Sequence, residues 1–386
     1  MRGSIWLIIV TLLSTVAFAQ PPSTDRLFKL LDRNGDGKLT RDEIPRLFDQ
    51  LDADKDGVVT PAEAAAFRGG RRGRGAAGPG ADAAGGVELV RSRDIRYATT
   101  PGVDARFQSL DIYTPKDARG LPVIVMIHGG GWRGGDKGNR PVGENLAQRY
   151  CPEGFVLVSV NYRLTPAGRH PANIQDVAKA VAWVHDHIAE HGGDPEQMFV
   201  MGHSAGAHLA ALVAADERWL KAEGKPLSIL KGAVLLDTAA YDIPRYMKGF
   251  AESRSGSVMR RLYEDAFGDT EEAWRDASPQ ARVARGKGIP PMLMFYTGRR
   301  MAANVLASAF VEALRGAGVK AAAIDTVTLE HSEILTTASE KDHPLARMVL
   351  RFLKGEDPTT FPARLPAASA PRADWQAPPA RGPYEP

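Results

Sequence analysis

The sequence is poor in cysteine and in excess charge of either sign. Cys151 is the only cysteine among 386 residues, so no internal disulfide can form and stability must come from packing, to which a bound metal can add. The 49 basic and 46 acidic residues leave a formal net charge of +3. A basic cluster at Arg71, Arg72 and Arg74 lies in a Gly-rich stretch without aromatic partners, which argues against a nucleic acid ligand.

Long apolar runs are absent except at the N-terminus. The segment MRGSIWLIIVTLLSTVAFAQ places Arg2 before an apolar run that ends in the small-x-small pattern Ala17-Phe18-Ala19, which is typical of a signal peptide. The run is shorter than the roughly 20 residues that a spanning helix needs, although an uncleaved anchor is the alternative. We therefore expect residues 1–19 to be removed, which leaves a secreted or periplasmic mature chain without a membrane span.

Two twelve-residue segments carry the pattern of calcium-binding EF-hand loops. In DRNGDGKLTRDE and DADKDGVVTPAE, oxygen-bearing side chains occupy loop positions 1, 3, 5, 9 and 12, and a glycine at position 6 permits the sharp turn. The predicted ligands are Asp32, Asn34, Asp36, Lys38, Thr40 and Glu43 in the first loop and Asp52, Asp54, Asp56, Val58, Thr60 and Glu63 in the second, with Lys38 and Val58 binding through backbone carbonyls. Hard oxygen ligands in this order predict one Ca²⁺ in each loop.

One shared helix, RDEIPRLFDQL, is predicted to leave the first loop and enter the second. Such a pair resembles the compact EF-hands of secreted bacterial proteins and implies a small all-α module over residues 20–66. Extracellular modules bind calcium with dissociation constants on the order of 10⁻⁴ to 10⁻³ M, so we expect a structural ion. Residues 67–86, rich in Gly and Arg, predict a flexible linker, and residues 356–386, rich in Pro and Ala, a disordered tail.

Residues 87–355 alternate short β-rich runs with helical patterns. The β-rich runs are SLDIYTP, VIVMIHG, FVLVSVNYRL, MFVMGHS, GAVLLD, MLMFYTG and AAAIDTVTL, and the predicted helices are 172–190, one from residue 205, 304–317 and 344–353. This alternation is typical of βαβ units. It predicts an α/β domain with a mostly parallel, doubly wound sheet.

Two motifs in this domain predict a nucleophilic site. The motif GHSAG, residues 202–206, joins a strand to a helix, and its two glycines permit the tight turn that exposes Ser204. The motif HGGGW, residues 128–132, follows the strand VIVMI, and its glycines let backbone N–H groups approach a substrate. A serine that attacks a carbonyl creates an oxyanion, which such N–H groups stabilise.

The runs HGGGWRGGDK, VSVNYRL, HPANIQDVAKAVAWVHDH and MGHSAGAHLAAL resemble the hormone-sensitive-lipase-like, acetyl-esterase-like, feruloyl-esterase-like and kynurenine-formamidase-like members of the α/β-hydrolase superfamily. The resemblance implies an α/β-hydrolase fold, a nucleophilic serine, and oxyanion donors at Gly130, Gly131 and Ala205. It implies that His331, after the last strand, is the base, and that no organic cofactor is needed. The implied substrate is a small-molecule or polysaccharide-linked carboxylic ester.

The acid of the catalytic triad is missing from its usual place. The resemblance implies a carboxylate in the loop after the seventh strand, but residues 277–311 contain no Asp or Glu, and Arg299 and Arg300 stand there instead. Asp237, at the end of the preceding strand GAVLLD, is the first substitute, because some lipases supply their acid from that position. Asp242 is the second substitute. Arginines beside an imidazole disfavour its charged form by like-charge repulsion.

The predicted reaction is ester hydrolysis through an acyl-enzyme on Ser204. Other histidines fit the implied role of the base less well than His331: His203 and His208 flank the nucleophile and are expected to point elsewhere, and His343 lies at the start of the closing helix. Residues 238–288, between the sixth and seventh strands, are expected to form a helical cap. The alternative, favoured by the missing acid, is a catalytically impaired secreted module that binds carbohydrate or protein with calcium.

Overall fold

The computed structural model describes residues 38–40, 58–60, 87–250 and 256–366. The chain divides into two compact units, residues 1–83 and 84–386. The predicted signal peptide, the predicted linker and eight of the twelve predicted calcium ligands lie outside the described residues. The predicted bounds of these segments stay predictions.

Within the described part of the second unit, eight strands form one sheet. The strands are β1 (Leu89–Arg96), β2 (Ser109–Pro115), β3 (Leu121–Ile127), β4 (Val156–Val160), β5 (Gly193–His203), β6 (Leu230–Leu236), β7 (Met292–Tyr296) and β8 (Ala321–Asp325). Their order across the sheet is β1-β2-β4-β3-β5-β6-β7-β8. The pairs β1–β2 and β2–β4 are antiparallel, and all the others are parallel. The predicted mostly parallel sheet is confirmed.

Helices cover both faces of this sheet. They are α1 (Glu144–Tyr150), α2 (Ala172–His187), α3 (Ala205–Ala215), α4 (Glu217–Ala222), α5 (Ile243–Gly249), α6 (Gly256–Phe267), α7 (Glu271–Asp276), α8 (Met301–Gly316), α9 (His331–Thr337) and α10 (Pro344–Leu353). Val123 and Val125 of β3 share a core with α2, α3 and α8, whereas Ile124 and Met126 share one with α1, α9 and α10. Burial on both faces explains the continuous apolar strands. None of these described helices combines the length and apolar character that a membrane crossing requires.

Strand β1 is an edge strand that the sequence pattern did not predict. Its sequence LVRSRDIR is rich in charge, and all eight of its residues are exposed or half-buried. It pairs with β2 through a register that shifts between Ser92 and Ile95. An edge strand needs no continuous apolar run, because one side of it faces solvent.

The end of β8 also differs from the prediction. The predicted strand AAAIDTVTL stops at Asp325, and His331, which was predicted to follow the last strand, is the first residue of helix α9. The cause is a capping box, in which the Glu330 side chain accepts from the backbone of Glu333 and Glu333 Oε2 accepts the N–H of Glu330 at 2.7 Å. His331 therefore lies in the first turn of a helix, beyond the carboxyl end of β8.

The predicted disordered tail starts too early at residue 356. Phe361 and Leu365 are buried in the core beside α10, and the Leu365 N–H donates to the carbonyl of Asp325 at 2.8 Å. These two apolar side chains bind the segment to β8, although Pro and Ala surround them in the sequence. The prediction is wrong for residues 356–366, and residues 367–386 lie outside the described part of the chain.

Candidate active site

Ser204 lies in the sharp turn between β5 and α3. Its backbone has φ 56° and ψ −119°, a sparsely populated conformation for a residue with a Cβ, and the residue is partly exposed. A Cβ on Gly202 would overlap the backbone of Gly206, and a Cβ on Gly206 would overlap the carbonyl of Ile127 in β3. The turn therefore requires both glycines, and it places Ser204 at the carboxyl edge of the sheet.

The HGGGW loop leaves β3 and passes beside this turn. A Cβ on Gly129 would lie 3.1 Å from the Cβ of Ser204, so the two segments are in close contact. Gly130 and Gly131 have φ values of 121° and 61°, in the region that favours glycine. Among residues 87–250 and 256–366, no acceptor pairs with the backbone N–H of Gly130, Gly131 or Ala205. These N–H groups are available to an anion that forms beside the serine.

Trp132 anchors the end of this loop. Its buried indole packs edge-on against His208, Tyr263 and Phe267 with ring centroids 4.7 to 5.5 Å apart. Its Nε1 donates to His208 Nδ1 at 3.3 Å, and His208 Nε2 donates to the carbonyl of Ala277 at 2.8 Å. Burial lowers the pKa of His208 to about 3, so the ring is neutral and makes both bonds as one tautomer. His208, on α3, therefore links the HGGGW loop to the segment after α7. Both of its ring nitrogens are used in these bonds, so we assign it no role at Ser204.

Asp237 and His331 meet at the carboxyl edge of the sheet. Asp237 Oδ2 lies 2.5 Å from His331 Nδ1, and Asp237 Oδ1 accepts the N–H of Thr297 at 3.2 Å. The Asp237 side chain is completely buried. Burial alone raises the pKa of Asp237, but the bond from His331 and the charge of Arg300 outweigh it and hold this pKa below its usual value. When the ionised carboxylate accepts Nδ1–H, the Nε2 atom of His331 is the basic nitrogen.

Both arginines after β7 contact the segments that carry this pair. Arg300 Nη1 lies 3.1 Å from Asp237 Oδ2 and 3.2 Å from His331 Nδ1, and 35% of the Arg300 side chain is exposed. If Nδ1 donates to Asp237, its contact with Arg300 is a close approach and not a hydrogen bond. Arg299 forms an ion pair with Glu330, the residue before His331. The sequence indicated where the arginines stand but did not reveal either contact.

The other carboxylates near these segments have different partners. Asp242 caps α5, and its Oδ1 accepts the N–H of Arg245 at 3.1 Å. Asp325 accepts the N–H of Val327 at 2.7 Å and pairs with Arg364 at 3.3 Å. Asp237 is therefore the carboxylate that the described structure brings to the imidazole.

His203 departs from the expectation that it points away from the site. Its ring centroid lies 4.7 Å from that of His331, and its Nε2 donates to the backbone carbonyl of His331 at 2.8 Å. Burial, reinforced by the neighbouring His331, lowers the pKa of His203 to about 4, so the ring is neutral near pH 7. The expectation was wrong because His331 lies 128 residues after His203 in the sequence, and only the folded chain brings the two residues together.

The segment between β6 and β7 carries α5, α6 and α7, as the predicted helical cap requires. Leu262 of α6 reaches the HGGGW loop, because a Cβ on Gly131 would lie 3.1 Å from Leu262 Cδ2. Tyr263 of α6 stacks on Tyr246 of α5 with centroids 4.6 Å apart. Leu262 borders the predicted oxyanion site, and no sequence pattern indicated it because its position depends on how α6 packs.

The described residues of the first unit are positions 7 to 9 of the two predicted calcium loops. Leu39 and Val59, both at position 8, are buried and form an antiparallel bridge with two N–H···O bonds of 2.8 Å. The predicted ligands that flank this bridge are Lys38, Thr40, Val58 and Thr60. The bridge joins the two loops at position 8, between the predicted calcium ligands at positions 7 and 9.

Comparison with known proteins identifies relatives of both units. Residues 110–298 match the BD-FAE family model, and residues 24–48 and 44–63 match the EF hand model. Esterase LipQ of Mycobacterium tuberculosis is 31% identical over 276 residues, which cover 68% of this chain and 62% of LipQ. Carboxylesterase NlhH of the same organism is 33% identical over 201 residues, which cover 48% of this chain and 60% of NlhH. This chain therefore spans less than two thirds of either relative.

A solved esterase of Pyrobaculum calidifontis shares the fold of the second unit. It aligns with a TM-score of 0.53 and 25% identity over 64% of this chain and 80% of the esterase. The segment that matches the family model contains the HGGGW loop, Ser204 and Asp237. The chain thus carries EF-hand motifs at its N-terminal end, and its C-terminal unit contains a domain that matches the BD-FAE family model and has the α/β-hydrolase fold.

Proposed function

We propose that this protein is a secreted serine hydrolase that cleaves carboxylic esters. The observation that carries the proposal is the arrangement at one edge of the sheet, where the Ser204 turn, the glycine loop and the Asp237–His331 pair meet. The names of the relatives, esterase and carboxylesterase, support an ester substrate.

In the first half of the reaction, His331 acts as general base. With its Nδ1–H held by Asp237, the Nε2 atom takes the hydroxyl proton of Ser204 while Oγ attacks the ester carbonyl. The carbonyl oxygen becomes an oxyanion, which the N–H groups of the HGGGW loop and of Ala205 bind. Collapse of this intermediate breaks the bond to the alcohol, which leaves with the proton from His331. The acyl group stays on Ser204.

The second half of the reaction releases the acyl group. Nε2 of His331 takes a proton from water while the water oxygen attacks the acyl carbon, and the same N–H groups bind the second oxyanion. The bond to Ser204 Oγ breaks, Oγ regains the proton from His331, and the carboxylic acid departs. Side chains and water account for every proton and electron pair in this scheme, so we propose no organic cofactor.

The proposed substrates are small-molecule or polysaccharide-linked esters. Leu262 stands over Gly131, next to the place where the carbonyl oxygen binds. Its isobutyl group limits the space on that side of the carbonyl and favours a short acyl chain.

In the first unit, we propose that the two EF-hand loops hold structural calcium. The EF hand matches and the Leu39–Val59 bridge support this proposal. The ligands within the described residues would be the carbonyls of Lys38 and Val58 and the side chains of Thr40 and Thr60. When bound, calcium links the carboxylates and carbonyls of a loop and thereby stabilises the unit.

Export is the remaining part of the proposal. Cleavage after Ala19 yields a mature protein whose first residue is Gln20. N-terminal sequencing of the protein recovered outside the cytoplasm tests this site. A retained Met1 at the membrane would support the uncleaved anchor instead.

The catalytic proposal is tested by hydrolysis of p-nitrophenyl acetate. Ser204→Ala removes the nucleophile and is expected to abolish both turnover and labelling by a fluorophosphonate probe. Ser308→Ala, which removes a hydroxyl on α8 bonded to Asn304, is the matched control and retains both. Equal rates in the wild type and Ser204→Ala would refute the proposal.

The non-catalytic alternative rested on the absence of an acid. The 2.5 Å contact between Asp237 and His331 speaks against it, because a module that only binds a ligand has no need of that contact. A wild type that neither hydrolyses the ester nor reacts with the probe would restore this alternative.

A further inference from the structure

The cation after β7 touches both the acid and the base of the proposed site. We propose that Arg300 is a positioning residue that keeps the Asp237–His331 pair unprotonated and thereby extends catalysis to lower pH. The inference rests on the proposed function and deepens it. Arg300 acts through the acid and the base and not through contact with the substrate.

The turn that carries Arg300 holds both oxygens of the buried carboxylate. The backbone N–H of Thr297 bonds Asp237 Oδ1 at 3.2 Å, and Nη1 of Arg300 lies 3.1 Å from Oδ2. The turn closes on itself, because the N–H of Arg300 donates to the carbonyl of Thr297 at 3.2 Å. The loop that lacks a carboxylate therefore supplies a clamp for a carboxylate from the neighbouring strand.

The charge of Arg300 acts on the pair as a unit. Because Asp237 and His331 share one hydrogen bond, a proton taken up by either group belongs to the pair. In the active form, the carboxylate is negative and the imidazole neutral, so Arg300 brings the cluster to zero net charge. A further proton makes the cluster positive, and the guanidinium 3.2 Å from Nδ1 opposes that change.

The other charged groups that face His331 do not replace this effect. The ring of His203 is neutral above about pH 4, because burial lowers its pKa to about 4. Glu330 is ion-paired with Arg299 on the exposed side, and Glu333 closes the capping box with the Glu330 N–H. Arg300 is thus the cation that directly contacts the pair among the described residues.

The experiment compares the pH dependence of kcat/KM for p-nitrophenyl acetate in the full chain. In Arg300→Gln, and in Arg300→Met as a second uncharged variant, the midpoint of the acid limb is expected to rise by about one pH unit at low ionic strength. Arg300→Lys keeps the charge and is expected to keep the wild-type midpoint. The difference between wild type and Arg300→Gln is expected to shrink in 1 M salt, where the Debye length is about 3 Å.

Arg299→Gln is the matched control, because it removes the adjacent arginine, which pairs with Glu330 and does not contact Asp237. Its acid limb is expected to coincide with that of the wild type. A midpoint in Arg300→Gln that stays at the wild-type value, or an equal rise in Arg299→Gln or Arg300→Lys, would overturn the inference.

A titration of the histidine rings by NMR separates this inference from the proposed function. In the full chain, the His331 signal is identified by its loss in His331→Gln. A rise in its midpoint in Arg300→Gln, in a protein without esterase activity, would support the charge effect and refute only the hydrolase. If the wild type is active, and Arg300→Gln shifts neither the acid limb of kcat/KM nor the NMR midpoint of His331, only the role of Arg300 is refuted.

Discussion

Asp237 and Asp111 are buried carboxylates, and each lies against a cation. Asp237 contacts Arg300 and His331, whereas Asp111 accepts from Lys137 Nζ at 2.5 Å. A buried anion is stable only when donors and opposite charge replace the water that it has lost. The cation beside Asp237 belongs to the proposed catalytic site. The cation beside Asp111 is Lys137, and this ion pair anchors the end of the HGGGWRGGDK segment.

The contribution of Asp237 to catalysis is testable by Asp237→Asn. The amide cannot hold the imidazole in the tautomer that leaves Nε2 basic, so kcat is expected to fall by about 10³- to 10⁴-fold. The fold should persist, because φ at this position is 49° and Asn tolerates the left-handed region. Steady-state hydrolysis of p-nitrophenyl acetate measures the loss.

Asp242→Asn is the matched control, since Asp242 caps α5 and asparagine is an equally good cap. It is expected to keep wild-type turnover. A fall of less than tenfold in Asp237→Asn, or an equal fall in Asp242→Asn, contradicts the assignment of the acid.

The buried pair at Lys137 predicts a stability effect. Lys137→Met removes the cation that pairs with Asp111, a carboxyl that is only 2% exposed, so the free energy of unfolding is expected to fall by about 3 to 5 kcal/mol. Lys116→Met removes an exposed pair with Glu88 and is expected to leave the denaturation midpoint unchanged. Urea unfolding followed by circular dichroism compares the two, and similar midpoints would argue against a structural role for the buried pair.

Sequence reasoning identified residues whose role depends on local spacing. Ser204, Gly130 and Gly131 belong to motifs whose geometry is set within a few residues. The loop after β7 lacks a carboxylate, and Asp237 was preferred to Asp242 because some lipases, which the sequence resembles, supply their acid from the end of the preceding strand. The contact of Arg300 with this acid was not predictable from the sequence. It depends on the pairing of β6 with β7, which brings the ends of the two strands together, and on the rotamer of the Arg300 side chain.

At the scale of elements, the predictions succeeded where periodicity and burial agree. Helix α10 has the predicted bounds, Pro344–Leu353, because an apolar face alternates with charged residues along it. The end of β8 was misplaced because TVTL has strand propensity, whereas tertiary structure ends the strand at Asp325. The edge strand β1 was missed because it has little apolar surface to reveal it.

A substitution in helix α6 is expected to change the acyl specificity of the proposed esterase. Leu262→Ala removes the isobutyl group that faces Gly131 and opens space beside the proposed oxyanion site. The ratio of kcat/KM for p-nitrophenyl butyrate to that for the acetate is expected to rise by about tenfold, the effect of one or two methylene groups in an apolar pocket. The measurement requires both esters under the same conditions.

Val258→Ala is the control on the same helix, because Val258 is 71% exposed. It is expected to leave the ratio of the two esters unchanged. A ratio that is equal in Leu262→Ala and wild type would show that α6 does not border the acyl group.

At the scale of the whole molecule, the two units of the chain are expected to owe their stability to different interactions. The second unit depends on two apolar cores that flank its sheet. The first unit is short, and the core of so short a segment stabilises a fold weakly, so the proposed calcium ions would contribute a larger share of its stability. The single cysteine excludes an internal disulfide as the substitute.

Calcium is therefore expected to stabilise the first unit without taking part in turnover. With a dissociation constant of about 10⁻⁴ to 10⁻³ M, each loop at about 10 mM calcium gains roughly 1.4 to 2.7 kcal/mol of stability. Glu43→Gln weakens the first loop and should remove about half of the calcium-dependent rise in melting temperature seen by calorimetry. Asp49→Asn changes an acidic residue outside the predicted ligand positions and should keep the full rise.

Ester hydrolysis measured on the same samples decides whether the ion is purely structural. Since every step of the proposed reaction uses side chains of the second unit, Glu43→Gln and calcium chelation are both expected to leave kcat within about twofold of the wild type. A calcium-independent melting temperature in the wild type would show that the loops bind no stabilising ion. A loss of turnover in folded Glu43→Gln would instead show that calcium acts on catalysis, because the mutated carboxylate is not needed by any step at Ser204.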